Sequence, residues 1–455
     1  QKNTKKGLHM FGKKRISKVQ FIALGFLIII ITGTILLMLP VSSRDGQATG
    51  FLDALFTATS ASCVTGLVVV DTYSYWSLFG QIVIICMIQV GGLGFISLGV
   101  LLALMLRRRV SLRHRGLMQE SVNTLQIGGI VRLTKKMLIG TLIFEGIGAI
   151  ILAVRFSFMM SPARAVFYGI FHSISAFCNA GFDLLGCYGE YNSLCGFEGD
   201  WTINLTISAL IIIGGLGFVV WDDISRNKLA IKKYRLHSKI VLAVTAFLLV
   251  SGTALFLIFE WDNTMAGMDA HTRFLASFFS SVTPRTAGMN SVDTGALTPA
   301  SKLLTMVLMF VGGSPGSTSG GAKTTTLFVI VAYLWTTMRG KYGIDVFSRR
   351  LKEDVVRKAA LVIGVNMLLF ITGAMVIFAV QPELGFSDVI FEVISGISTV
   401  GMTTGITRSL GTVSRVVIIV LMYCGRIGSL SFALSFSENK RIVPLQQPEE
   451  EINIG

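Results

Sequence analysis

The sequence is poor in charge and in the residues from which catalytic and metal sites are built. Only 14% of its 455 residues are Asp, Glu, Lys or Arg, whereas about 25% is usual in a soluble globular protein. Its five histidines are scattered, and we find neither a cluster of metal ligands nor a nucleophile at a suitable spacing from a base. These absences argue against a soluble protein and against an enzyme.

A secretory signal peptide is absent as well. The first apolar run, residues 19–39, has no small-residue cleavage site, and a loop and further apolar runs follow it. Eight such runs are long enough to span a bilayer, which takes about 20 residues as a helix. We therefore expect a multi-pass protein of the lipid bilayer without a soluble domain, in which control by a nucleotide would need another subunit.

The net charge of +15 is concentrated between the apolar runs. About three quarters of the 40 Lys and Arg residues fall in five segments, namely 1–18, 107–136, 221–239, 339–358 and 437–455. This alternation is the positive-inside pattern, so both termini and these loops are predicted to be cytoplasmic. The charge thus indicates topology rather than a nucleic-acid partner, although the basic loops could also offer a docking face to another protein.

A glycine in a matched setting occurs four times, as Gly66, Gly181, Gly288 and Gly401. Each has a phenylalanine ten residues earlier and a bulky apolar residue directly after it. The intervals of 115, 107 and 113 residues define a long internal repeat, and such a repeat dictates the fold. The predicted organisation is a basic arm 1–18, repeats 19–106, 137–225, 240–338 and 359–436, cytoplasmic loops 107–136, 226–239 and 339–358, and a cytoplasmic tail 437–455.

Each repeat is predicted to comprise an outer helix, a half-helix, an extended strand and an inner helix. The half-helices, 51–62, 165–177, 271–282 and 387–397, have too few residues to cross a bilayer. They suit re-entrant segments, which membranes tolerate only inside protein or around a water-filled cavity. We predict an all-α membrane protein with four pseudo-symmetric helix–pore-helix–helix repeats around a central ion pore, with eight spans and four re-entrant loops.

The four glycine stretches are candidates for a selectivity filter. Glycine permits positive φ and close approach of backbones, and inward-pointing carbonyls can replace the water around a dehydrated cation. The flanking side chains differ between repeats and form no ring of carboxylates, so we expect the backbone to bind the ion. Close helix packing is the alternative role for glycine, but four matched settings favour the filter. The candidates are Val64, Thr65, Gly66, Asn179, Ala180, Gly181, Thr286, Ala287, Gly288, Thr399, Val400 and Gly401.

Two further glycine motifs lie in the first and second inner helices, at 91–94 and 214–217. We interpret them as packing or kink sites rather than nucleotide-binding loops, since no strand precedes them.

The third inner helix is interrupted by a run rich in Gly, Ser and Thr, residues 312–326. It mimics a phosphate-binding loop, but Ala322 stands where that motif requires a glycine. A broken helix at membrane depth needs a cavity to solvate its backbone, and below a filter that cavity is the pore. We interpret the run as a gate, with a plain flexible kink as the alternative. The gate candidates are Gly312, Gly313, Ser314, Gly316, Ser317, Thr318, Ser319, Gly320, Gly321, Lys323 and Arg426.

Arg426 lies in the fourth inner helix, where an arginine is energetically unfavourable and therefore functional by default. We expect it to face the pore and to hydrogen-bond carbonyls or hydroxyls of 312–326. The alternative is a pairing with an acid such as Glu145 or Glu392. These two acids and Asn366 are otherwise expected to make satisfied contacts between helices.

Cys187 and Cys195 share one predicted outer loop. Either a disulfide or two free thiols is compatible with this position.

The four filter glycines, the interrupted third inner helix and the arginine of the fourth resemble the Ktr/Trk/HKT superfamily of potassium transporters, over residues 19–436. Since the chain starts directly with the first repeat, it is similar to the KtrB-type membrane subunits of bacterial Ktr systems. The resemblance implies K+ uptake across the bacterial cell membrane, activation by Na+ and no organic cofactor. It also implies a homodimer with one pore in each protomer, and a cytoplasmic ring of KtrA-like RCK subunits that bind ATP or ADP. The alternative is a sodium- or proton-coupled potassium symporter on the same scaffold.

Overall fold

Four long outer helices form the periphery of the protein. A computed structural model describes residues 18–94, 130–228, 230–341 and 343–428; most of the basic arm, residues 95–129 and the tail lie outside these ranges. Within them, four helices are long and apolar enough to cross a membrane: Lys18–Leu37, Ile130–Ser157, Leu236–Phe259 and Glu353–Val380. Large apolar side chains point outward from them, such as Val250 and Met375, and an exposed apolar face of this kind suits contact with lipid.

A short pore helix follows each outer helix. The four pore helices are Phe51–Cys63, Pro162–Phe177, Ala270–Val282 and Phe386–Ser398, which agree with the predicted half-helices to within three residues. At a rise of about 1.5 Å per residue they extend for only about 20–24 Å, less than the hydrocarbon core of about 30 Å. Each packs against the outer helix of its own repeat, so its carboxyl end is held inside the protein.

The residues that define the repeat are core residues. Phe56, Phe171 and Phe391 are at most 1% exposed, and Phe278 is half-buried. The bulky residues that follow the glycines are all buried: Leu67, Phe182, Met289 and Met402. The sequence signature therefore has two parts. The apolar residues pack in the core and fix each pore helix, and the pore helix in turn positions the glycine.

The described segments of the four inner helices all end at a glycine. These segments are Leu78–Leu93, Trp201–Leu216, Pro299–Val311 and Thr412–Ile427. Each is followed by a glycine with positive φ, namely Gly94 (77°), Gly217 (93°), Gly312 (64°) and Gly428 (92°). Glycine reaches this region without the steric strain that a Cβ would cause.

The second inner helix is interrupted within its glycine motif, 214–217. The chain bends by 96° between Trp201–Leu216 and the next helix, Phe218–Asn227. The interpretation of this glycine motif as a kink site is thereby confirmed. The predicted ends of the first and fourth inner helices lie outside the described residues.

The third inner helix resumes as Thr324–Met338, so the predicted interruption is confirmed. After it, a small antiparallel hairpin pairs Asp345–Val346 with Arg349–Arg350. Short 3-10 turns occur at Pro40–Ser42, Leu185–Cys187, Ile231–Lys233 and Ile406–Ser409. The predicted fold class, a helical membrane protein with four helix–pore-helix–helix repeats, is confirmed.

Candidate functional site

The four filter glycines converge on one point, although more than 100 residues of chain separate each from the next. The four glycines form a ring in which each glycine contacts the carbonyl oxygen of the residue just before the next glycine. A Cβ added to Gly181, Gly66 or Gly288 would lie 2.9, 2.6 or 2.5 Å from that oxygen, and one added to Gly401 would lie closer still. The oxygens facing Gly66, Gly181, Gly288 and Gly401 belong in turn to Ala180, Ala287, Val400 and Thr65. The ring therefore closes through backbone alone and leaves no room for a side chain.

The residue two positions before each glycine also has positive φ. The values are 58° at Val64, 59° at Asn179, 75° at Thr286 and 49° at Thr399. Three of the four are β-branched, for which this region is a genuine outlier, and such a residue stores about 1–3 kcal/mol of strain. Because the same unfavourable backbone occurs in all four repeats, the surrounding structure must impose it, as is typical of backbone that binds a ligand.

Hydroxyl groups in the pore helices or directly after them hold the four strands in this shape. In the first and fourth repeats a serine oxygen accepts the N–H of the filter glycine, at 3.1 Å in both. In the second and third repeats a hydroxyl donates instead to the carbonyl that follows the glycine. The pairs are Ser60 with Gly66, Ser395 with Gly401, Ser175 with Phe182, and Thr283 with Met289. Each strand is thus fixed to its own pore helix.

A cavity of about 290 Å³ opens onto one side of the ring, and all four filter glycines line it. Asp71, Asp183, Asp293 and Arg408 also line this cavity, which we call the outer mouth. Burial, and then the charge of Asp71, raise the pKa of Asp183 to about 6. None of these four residues is among the candidates derived from the sequence, because only the packing of loops from all four repeats brings them together.

The interruption of the third inner helix, which we call the gate loop (312–323), reaches across to the second and fourth repeats. Its hydrogen bonds to the second repeat join Ser314 N–H to Gly215 O (3.0 Å), Thr318 N–H to Gly214 O (3.3 Å) and Phe218 N–H to Gly316 O (2.8 Å). Gly320 packs on the side chain of Thr399 in the fourth filter strand. The gate candidates are therefore brought next to the filter candidates, as the sequence predicts.

Arg426 ties the gate loop to the first repeat. Its guanidinium donates to Thr318 O at 2.5 Å, to Gly91 O at 2.5 Å and to Gly92 O at 3.1 Å. The expected hydrogen bond from this arginine to a carbonyl of 312–326 is thus present. Lys323 Nζ likewise donates to two carbonyls of the gate loop, so backbone oxygens surround both cations.

Arg426 is not paired with Glu145 or Glu392, the two acids named as alternatives. Glu145 accepts from Gln89 Nε2 at 3.0 Å, which joins the outer helix of the second repeat to the inner helix of the first. Glu392 accepts from the hydroxyls of Thr403 and Thr407, in the loop that follows its own pore helix. Both carboxyl groups are therefore satisfied by neutral donors.

Three other polar side chains have simpler roles. Asn366 is buried, and its amide donates to Val362 O in its own helix. Cys187 and Cys195 are free thiols in the structure, which corresponds to the second of the two alternatives for this loop. Cys187 is exposed, whereas Cys195 contacts Asn290.

Comparison with known proteins identifies the same architecture. The profile of the family described as TrkH, cation transport protein, matches residues 16–443. The chain is 40% identical to the potassium/sodium uptake protein NtpJ of Enterococcus hirae, over 97% of this chain and 98% of that protein. It is 38% identical to the Ktr system potassium uptake protein B of Bacillus subtilis, over 97% of both.

The crystal structure of the potassium transporter TrkH from Vibrio parahaemolyticus resembles the fold with a TM-score of 0.71, over 94% of this chain and 86% of that chain. At 19% identity this likeness concerns the fold alone. The predicted membership of the Ktr/Trk/HKT superfamily is confirmed by the family profile and the full-length relatives. The chain therefore belongs to the TrkH family of cation transport proteins, which are transporters and not enzymes.

Proposed function

We propose that this chain takes up potassium ions across the bacterial cell membrane through the ring of backbone carbonyls. The ring itself is the observation on which the proposal depends, because four repeats direct backbone oxygens to one point. Carbonyl oxygens at such a constriction can replace the hydration shell of K+. The relatives whose names specify potassium uptake support the choice of ion.

In this proposal the ion contacts carbonyls of the segments 64–66, 179–181, 286–288 and 399–401. The positive φ at the first and third residues of each segment would turn successive carbonyls towards the axis. The three aspartates of the outer mouth outnumber its one arginine, so its net negative charge would raise the local concentration of cations before they enter.

The gate loop and Arg426 are proposed to close the pathway beneath the filter. The positive charges of Arg426 and Lys323 at the gate loop would oppose the passage of a cation, and the backbone of the gate loop would fill space that the ion needs. Opening then requires that Arg426 release Thr318. The alternative, a flexible kink without a function, does not explain why carbonyl groups of the first and third repeats bind Arg426 of the fourth repeat.

Control of this gate is proposed to come from a cytoplasmic ring of RCK subunits that bind ATP or ADP. The resemblance to Ktr systems supports this partner, as it supports a homodimer and activation by Na+. With both termini cytoplasmic, the basic loop 221–239 and the hairpin Asp345–Arg350 would face such a ring.

A sodium-coupled potassium symporter is the second candidate. The specific observation in its favour is the name of the relative from Enterococcus hirae, which specifies uptake of both potassium and sodium. The two candidates differ in whether net K+ flux depends on a sodium gradient.

The test is K+ uptake into vesicles that contain the purified full-length chain, with the sodium gradient and the membrane potential varied independently. Channel-like translocation predicts that net flux follows the K+ electrochemical gradient at any sodium gradient. A flux that stops whenever the sodium gradient is abolished would establish the symporter instead. Absence of K+ flux under every condition, in vesicles where the chain is folded, would contradict both.

A further inference from the structure

Thr318 is a main point of attachment of the gate loop to the other repeats. It is fully buried, and all three of its polar groups are bonded to other repeats. Its N–H donates to Gly214 O, and its carbonyl oxygen accepts from Arg426. Its hydroxyl donates to Phe177 O at 3.1 Å, with Asn179 Oδ1 as a second acceptor at 3.4 Å. The last two acceptors belong to the pore helix and filter strand of the second repeat.

Asn179 extends this contact into the third filter strand. Its side-chain amide donates to Arg285 O and to Thr286 Oγ1, both at 3.3 Å. The equivalent positions of the other repeats hold Val64, Thr286 and Thr399, whose side chains have no amide with which to bridge two strands. Asparagine also tolerates the left-handed conformation better than these β-branched residues. Asn179 is therefore suited both to this backbone and to joining two adjacent strands.

We infer that Thr318 and Asn179 couple the gate to the filter, so that the position of the gate loop sets the ion selectivity of the filter. This inference rests on the proposed function. With the gate loop docked, the Thr318 hydroxyl fixes the Asn179 amide, and that amide fixes the third filter strand. When the gate loop leaves, the amide loses its partner below, and two of the four strands lose a restraint.

The coupling works in both directions. If undocking the gate loop weakens K+ binding in the filter, then K+ in the filter must favour the docked loop by the same factor, because linkage between two equilibria is reciprocal. Asn179 and Thr318 are thus positioning residues. They act on the ion through the backbone of the second and third filter strands.

The test compares two threonine-to-valine substitutions in the third repeat, one in the gate loop and one in the helix that precedes it. Thr318→Val removes the hydroxyl that reaches Asn179. Thr305→Val is the matched control, since Thr305 is equally buried but its hydroxyl donates to Ser301 O one turn back in its own helix. The measured quantity is the ratio of K+ to Na+ flux in vesicles at a fixed membrane potential.

We expect Thr318→Val to lower this ratio about two- to tenfold, which corresponds to the loss of one neutral hydrogen bond of about 0.5–1.5 kcal/mol. Thr305→Val should leave the ratio unchanged, and Thr318→Ser, which restores a hydroxyl, should recover most of it. A change in total flux with an unchanged ratio in Thr318→Val would overturn the coupling, because it would mean that the contact serves the gate alone.

A second variant, Asn179→Gly, tests the same network if Thr318→Val does not fold. Asn179→Gly removes the amide while keeping a residue that accepts positive φ. It should lower the ratio too, and adding Thr318→Val to it should lower the ratio no further, since residues in one hydrogen-bond network are not additive. Fully additive effects would contradict the network.

The filter proposal is tested separately by Gly66→Ser. If Gly66→Ser lowers the ratio and Thr318→Val does not, the filter proposal is supported and the proposed coupling is wrong. If Gly66→Ser leaves the ratio unchanged, the carbonyl ring itself is wrong, and the coupling falls with it.

Discussion

Alanine at the four filter glycines should damage selectivity in an order that the structure specifies. All four have similar positive φ, from 74° to 97°, so the conformational penalty of about 1–2 kcal/mol for an L-residue is nearly constant. What differs is the distance between the added methyl group and the neighbouring carbonyl oxygen. The added methyl group would meet the neighbouring carbonyl oxygen at 2.9 Å from Gly181, 2.6 Å from Gly66 and 2.5 Å from Gly288, and closer still from Gly401.

These oxygens belong to the backbone, so they cannot rotate away from the methyl group, and they are the proposed ligands of the ion. A distortion of about 1–2 kcal/mol at one ligand corresponds to about a five- to thirtyfold change in an equilibrium. We therefore expect the ratio of K+ to Na+ flux to fall most in Gly401→Ala, less in Gly288→Ala and Gly66→Ala, and least in Gly181→Ala.

Gly196 provides the matched control for this series. Its φ of 96° lies within the range of the filter glycines, but no atom of the described residues lies within 4 Å of a Cβ built on it. Gly196→Ala should therefore lower thermal stability by the conformational penalty alone and leave the flux ratio unchanged. The reasoning would be refuted if Gly196→Ala lowered the ratio as much as Gly401→Ala, or if Gly181→Ala proved the most damaging of the series.

Three further predictions concern the gate, the outer mouth and the outer loop. Arg426→Ala, or a deletion within 312–323, should increase K+ flux in the absence of a regulatory partner, and an unchanged flux would contradict the gate. Burial raises the pKa of Asp183 to about 6, so acidification of the outer solution through about pH 6 protonates this side chain. K+ uptake at low K+ should therefore fall at acidic pH. Asp183→Asn should remove this part of the pH dependence. A membrane-impermeant maleimide added to intact cells should label the exposed Cys187 faster than Cys195, and labelling of neither, or of both only after lysis, would contradict the proposed topology.

The sequence predicted those parts of the fold that repeat. A period marked by four glycines and four phenylalanines located all pore helices, because each pore helix needs one large buried side chain and one glycine at a fixed distance from it. The interruption at 312–326 was equally visible, since its composition cannot form a membrane helix. Such features are local in sequence, which is why they could be recognised without the structure.

The bend at Gly217 was harder to predict than the gate loop. A single glycine inside an apolar helix lowers its stability by only about 1 kcal/mol, so the motif 214–217 was compatible with close packing as well as with a kink. What decides the outcome is a contact distant in sequence: Phe218 N–H donates to Gly316 O of the gate loop. The helix bends where another repeat supplies a partner for its freed backbone group.

The outer mouth and the network of Asn179 were missed for the same reason. Asp71, Asp183 and Asp293 come from three repeats, and each alone is an ordinary acidic residue of a loop. Asn179 differs from its counterparts only by an amide, whose partner Arg285 is 106 residues away. No pattern within a single repeat distinguishes such residues.

The contacts of the gate loop also indicate how much free energy opening requires. Five hydrogen bonds join it to other repeats: those of Ser314, Gly316, the Thr318 N–H and hydroxyl, and Arg426. At about 1 kcal/mol each, they hold the docked state by about 5 kcal/mol. A ligand must favour one state by about 5.5 kcal/mol to shift a two-state equilibrium from 1:99 to 99:1. The contacts thus exceed the about 2.7 kcal/mol that a 99:1 preference requires, so in the proposed mechanism the gate stays closed unaided, and a regulatory partner must favour the open state by more than about 5 kcal/mol to open it.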